Sequence, residues 1–131
     1  MYSPLYNAGR EAAIPGAPYP MTTPEELRQL ALSLPEVEER ETWGHPTFRV
    51  RSKIFATLSA DERVAGVKAS LEDQEELIAS DPETFAVASY TGRFGWVSVQ
   101  LSSVDPEGMR ELVIEAWRRT APKRLVAAYD A

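Results

Sequence analysis

The chain has 131 residues, 44% of them hydrophobic, with three Trp, five Tyr and four Phe, enough apolar mass for one continuous core without metal or disulfide staples. The lack of cysteine excludes a disulfide framework, Cys-ligated zinc, iron–sulfur clusters and thiol nucleophiles, and no run approaches the roughly 20 apolar residues of a membrane span. Fourteen Lys and Arg against 20 Asp and Glu give a formal charge of −6, which repels phosphate backbones at long range and, with no secretory start, points to a cytoplasmic protein without a membrane partner.

Residues 1–20 hold Pro4, Pro15, Pro18 and Pro20 with Gly9 and Gly16 and carry no apolar period, which reads as a flexible Pro/Gly/Tyr-containing extension. Tyr2, Tyr6 and Tyr19 are rings that such an extension can dock. Residues 21–131 then read as a single domain. Thr23-Pro24-Glu25-Glu26 is a capping box with proline at the first helical position, so a helix starts there. Leu27, Leu30, Ala31 and Leu34 share its apolar face, and Pro35 ends it.

Four extended candidates follow: Glu38 to Trp43, Thr47 to Arg51, Ile54 to Leu58 and Arg63 to Lys68. Their close spacing demands an antiparallel meander, with Gly44, His45 and Pro46 forming a structural turn between the first two. Side chains alternate across a strand, so Phe48 and Val50 face one way and Thr47, Arg49 and Arg51 the other. A basic stripe should therefore face solvent.

Ser70 caps a helix from Leu71 to about Ala79, with Glu72 and Asp73 placed favourably in its first turn. Phe85 to Ser89 and Gly95 to Leu101 read as strands; in the second, Val97, Val99 and Leu101 oppose Trp96, Ser98 and Gln100. Asp105-Pro106 opens a helix whose Met109, Leu112, Val113, Ala116, Trp117 and Thr120 keep helical spacing, and Pro122 begins a last helix with Leu125, Val126 and Tyr129 on one side.

Trp43-Gly44-His45-Pro46-Thr47-Phe48-Arg49-Val50 with Lys53-Ile54-Phe55-Ala56, Gly92-Arg93-Phe94-Gly95-Trp96-Val97-Ser98-Val99, and Ala121-Pro122-Lys123-Arg124-Leu125-Val126 together resemble the MmcQ/YjbR family of small bacterial proteins. The resemblance covers about residues 22 to 129. It implies an α+β, two-layer fold, an antiparallel sheet with helices packed on one face, in the secretion-chaperone-like order α-β-β-β-α-β-β-α-α. It also implies DNA as ligand, the label its members commonly carry. Ser52 stands where the family pattern places glycine before Lys53.

No catalytic constellation can be assembled, so no enzyme activity is assigned. His45, the sole histidine, is the natural proton-transfer or metal-ligand candidate, but it has no evident partners and suits a turn instead. Glu36, Glu38, Glu39 and Glu41 lack the tight Gly-containing loop of a calcium site and read as a solvated acidic edge. No metal or other cofactor is expected.

The binding hypothesis rests on Arg49, Arg51, Lys53 and Arg93 with Trp96 and Tyr90 on the open sheet face, phosphate contacts beside stacking surfaces. Arg118, Arg119, Lys123 and Arg124 form a second basic cluster at the junction of the last two helices. The bland reading is that these cations solvate a one-sided sheet. The rival function is a protein-interaction or chaperone-like module that meets a partner polypeptide through the sheet face and the acidic stretch.

Overall fold

The computed structural model describes residues 22–131, so the extension expected over residues 1–20 lies outside the described residues. Helix α1 (Pro24–Leu32) starts on the capping box: Glu26 N–H donates to Thr23 Oγ1, and Thr23 N–H donates to Glu26 Oε1 at 2.8 Å. Four strands follow, β1 (Val37–Thr42), β2 (His45–Val50), β3 (Lys53–Leu58) and β4 (Val64–Val67), one more than the order implied by the resemblance. Then come α2 (Leu71–Ser80), β5 (Phe85–Val87), a 3-10 turn over Thr91–Phe94, β6 (Val97–Gln100), α3 (Pro106–Thr120) and α4 (Lys123–Asp130). The architecture is α+β, as the element pattern requires.

The six strands form one antiparallel sheet in the order β1-β2-β3-β4-β6-β5. Its alternation, interrupted where the β2–β3 register skips Phe55, sorts the side chains by face. Phe48, Val50, Phe55, Ala56, Leu58, Ala65, Val67, Val97 and Val99 are fully buried against Leu27, Ala31, Met109, Val113 and Trp117 from the helical layer. Asp105 caps α3 by accepting from Gly108 N–H at 2.7 Å, and Pro106 occupies the first turn, as the sequence pattern demands. Trp117 is core: its indole N–H donates to the Pro35 carbonyl at 3.1 Å and its ring meets Tyr129 edge-on at 5.1 Å. That pairing docks α4.

Two strand connections differ from expectation. The β1–β2 turn consists of Trp43 and Gly44, both at positive φ (52° and 83°), while His45 and Pro46 already belong to β2. The β2–β3 turn consists of Arg51 and Ser52, also both at positive φ (51° and 70°). Two-residue loops with this twist match the twist of the strands they join, which is why both hairpins close without Asn-Gly. In consequence Arg51 leaves the face it was expected to share with Thr47 and Arg49.

Candidate functional site

The face of the sheet turned away from the helices carries a groove of about 800 Å³. Register explains its floor. Thr47 lies opposite Thr57, Thr57 opposite Gly66, and Gly66 opposite Ser98, so one row of small side chains crosses β2, β3, β4 and β6. Gly66 is needed there: a Cβ would stand 2.6 Å from Thr57 Oγ1. Trp96, packed 3.9 Å from the same position, walls the groove on the β6 side, with Ile54 and His45 among the other lining residues.

Two further rings stand at its margins. Trp43 in the β1–β2 turn is 90% exposed, and Tyr90, before β6, is 95% exposed. Both hold positive φ, Trp43 at 52° and Tyr90 at φ 61° and ψ −54°, the latter the centre of a γ-turn in which Thr91 N–H donates to the Ser89 carbonyl at 2.6 Å. Such states are uncommon for bulky residues, cost on the order of 1 kcal/mol each and persist where surroundings impose them. For Tyr90 those surroundings are identifiable. Buried Gln74 on α2 donates to the carbonyls of Gly92 and Trp96, both at 2.8 Å, and Gly95 at φ 104° approaches the Ala69 carbonyl so closely that a Cβ would lie 2.3 Å from it. The connection between β5 and β6 is thus clamped to α2, and the Tyr90 and Trp96 rings are presented from a fixed backbone.

Among the described residues, the groove wall contains no Asp, Glu, Lys or Arg. It offers rings, aliphatic carbons, the His45 imidazole and the hydroxyls of Thr57, Ser59, Ser89, Thr91 and Ser98, while the buried Thr47 hydroxyl donates to the Arg40 carbonyl at 2.7 Å. His45 Nδ1 lies 3.3 Å from the Pro46 carbonyl.

The nine cation and tryptophan positions singled out from the sequence do not converge. Arg49 and Trp96 reach the open face. The Arg49 guanidinium donates from Nη2 to Thr42 Oγ1 at 2.9 Å, and from Nε to Thr47 Oγ1 and Nη1 to the Ser52 carbonyl, each at 3.3 Å. Arg51 is bound by Glu36, and this hydrogen bond holds the Glu36 carboxyl below the usual carboxylate range. Arg93 lies over the Phe94 ring at 4.8 Å, and Lys53 is exposed at the start of β3. Arg118 pairs with Glu115 and Asp130, and Arg119 with Asp73 at 2.7 Å. These two, with exposed Lys123 and Arg124, sit on α3 and α4, in the layer across the sheet from the groove.

Sequence reasoning missed Trp43, placed in a strand, and the Thr57–Gly66 floor. An X-Gly dipeptide between two extended runs was the available sign for Trp43; the floor depends on cross-strand register, which no local pattern carries.

The YjbR family model matches residues 32–119. Uncharacterized proteins of Mycobacterium bovis and Mycobacterium tuberculosis are each 33% identical over 69 residues, 52% of this chain and 54% of theirs. The chain therefore spans about half the length of the curated relatives it matches. The crystal structure of Deinococcus radiodurans protein DR2400, a DUF419 domain, is similar with a TM-score of 0.68 and 25% identity, covering 77% of this chain and 80% of that one.

Proposed function

This chain belongs to the YjbR family, and on that premise we propose that it is a non-enzymatic binding module whose open sheet face takes an extended, proline-rich polypeptide segment. The observation that carries this reading is the uncharged groove with Trp43, Trp96 and Tyr90 on its walls and rim. A ligand lying on the face of a sheet finds the backbone groups of the inner strands already consumed by the ladder, so it must be held by side chains rather than by strand addition. Aromatic walls with interspersed hydroxyls suit proline rings, which stack well and arrive in a preformed helix with little entropy left to lose. The free edge of β1 argues the same way, since Glu38, Glu39 and Glu41 guard it against an added strand.

DNA is the second reading. Arg49, Lys53 and Arg93 favour it, because among the described residues none of them is paired with a carboxylate. Against it stand the charge of −6 and the pairing of Arg51, Arg118 and Arg119 with acidic neighbours.

Titration of the full chain with blocked decaproline and with a single-stranded oligonucleotide, followed by tryptophan fluorescence, separates the two. Decaproline is expected to bind with an affinity that changes less than about twofold between roughly 50 and 200 mM salt, and Trp96→Ala is expected to abolish it. Oligonucleotide binding that falls steeply over this salt range and is lost on Arg49→Ala, with no response to decaproline, would replace this reading by the DNA one.

A further inference from the structure

Two arginines among the described residues are half-buried, Arg28 and Arg49, and their surroundings differ in kind. Arg28 has three carboxylates around it: Glu62 at 2.7 Å, Glu39 at 3.2 Å and Glu25 at 3.5 Å. The hydrogen bonds from Glu62 and Glu39 raise its pKa above the ordinary arginine value. Arg49 has two threonine hydroxyls and a backbone carbonyl, all neutral. Glu38 stands directly opposite it on β1, yet that carboxylate is engaged by Arg40 at 2.5 Å. Half-burying an arginine whose direct partners among the described residues are all neutral is unfavourable, and fixing it with three hydrogen bonds adds an ordering cost. In an acidic chain with a surplus of carboxylates, such an arrangement fits a cation kept for an external anion.

Its position says where that anion lies. The guanidinium is bonded to Thr47, which lines the groove, and to Thr42, which precedes Trp43; on its other side Arg49 is the register partner of Ile54, another lining residue. The cation therefore flanks the β1–β2 margin of an otherwise uncharged channel. Three of its five N–H groups are used, which leaves one on each terminal nitrogen for a further acceptor. Charge-assisted bonds from a guanidinium to a carboxylate are about twice as strong as neutral ones.

We infer that Arg49 is a specificity-determining residue of the groove and that the polypeptide docked there carries an acidic side chain beside its proline run. The inference rests on the polypeptide reading of the groove and adds the sign and place of the ligand's charge. The neutral wall selects the run, and the flanking guanidinium adds a preference for an acidic residue at the β1–β2 margin.

The test uses the full chain, wild type, Arg49→Gln and Arg49→Lys, titrated by tryptophan fluorescence with blocked octaproline and with the same peptide bearing one Glu or one Lys at either end. One of the two Glu peptides is expected to bind the wild type about tenfold more tightly than octaproline, with the Lys peptides weaker. That ratio is expected to collapse to about one in Arg49→Gln and to survive in part in Arg49→Lys, which keeps the charge but not the fork. Equal binding of Glu and neutral peptides by the wild type, or an advantage that persists in Arg49→Gln, overturns the assignment of Arg49 while leaving the proline-binding groove in place. Failure of every peptide to bind the wild type removes both.

Discussion

Ser52 is a β-carbon residue held at φ 70°, directly after Arg51 at 51°. A left-handed backbone costs an L-residue about 1–2 kcal/mol, whereas glycine gives back part of that gain, about 0.5–1 kcal/mol, in unfolded-chain entropy. Ser52→Gly is therefore expected to stabilise the protein by about 0.5 kcal/mol, a rise in Tm of about 2 °C in a thermal melt. An unchanged or lowered Tm would mean that the turn is relaxed by something other than its residue type. Arg51 is the poorer position for the same change, because it also binds Glu36 across the loop. The absence of glycine at this turn was visible in the sequence as a departure from the family pattern, but its consequence was not: only the register Val50 to Lys53 makes Arg51-Ser52 a two-residue loop. Arg49 and Arg51 looked equivalent on alternation alone. A one-residue difference in where the strand ends sends one guanidinium onto the open face and the other into an ion pair at the edge.

At the level of elements, legibility followed how many independent signals agreed. For α1 and α3 a cap, a proline in the first turn and an apolar period all coincide, and both begin where the sequence places them. Strand limits rested on composition alone, and Trp43 moved from strand to turn because a β-favouring side chain does not reveal that the next residue needs positive φ. Helix α4 is the weakest element physically. It has eight residues, no side-chain cap and no fully buried residue, and helices of that length are marginal without tertiary support. Its support comes from Leu125, Val126 and Tyr129 packed against the core, Tyr129 meeting Trp117 edge-on, and from Asp130 accepting from Arg118 at 2.7 Å. Tyr129→Ala is expected to abolish hydrogen-exchange protection across α4 while lowering global stability by only about 1 kcal/mol. Amides of α4 that remain protected to the global limit in this variant would show that the helix folds as part of the central core.

Across the whole molecule the two faces of the sheet serve different ends, and charge marks the division. On the helical side, buried apolar residues are bordered by compensated ion pairs: Arg28 joins α1 to β1 and to the β3–β4 turn through Glu39 and Glu62, and Arg119 joins α3 to α2 through Asp73. On the open side lie a groove lined by uncharged residues, strained exposed rings and an arginine with no carboxylate partner among the described residues, features that add little to stability and are accountable as a docking surface. Composition hid this division, since a total of −6 says nothing of which cations are already spent. If it holds, stability and binding are separable by mutation. Arg28→Met keeps the aliphatic stem but leaves Glu39 and Glu62 without their cation, and at 24% side-chain exposure the loss is expected to be about 1 kcal/mol, read as a lower urea midpoint at unchanged m. Under conditions where the variant is folded, its affinity for decaproline should equal that of the wild type, because nothing Arg28 touches lines the groove. A parallel loss of affinity would mean that the helical layer and the open face are coupled through β1, and that the groove depends on the edge strand being held in place.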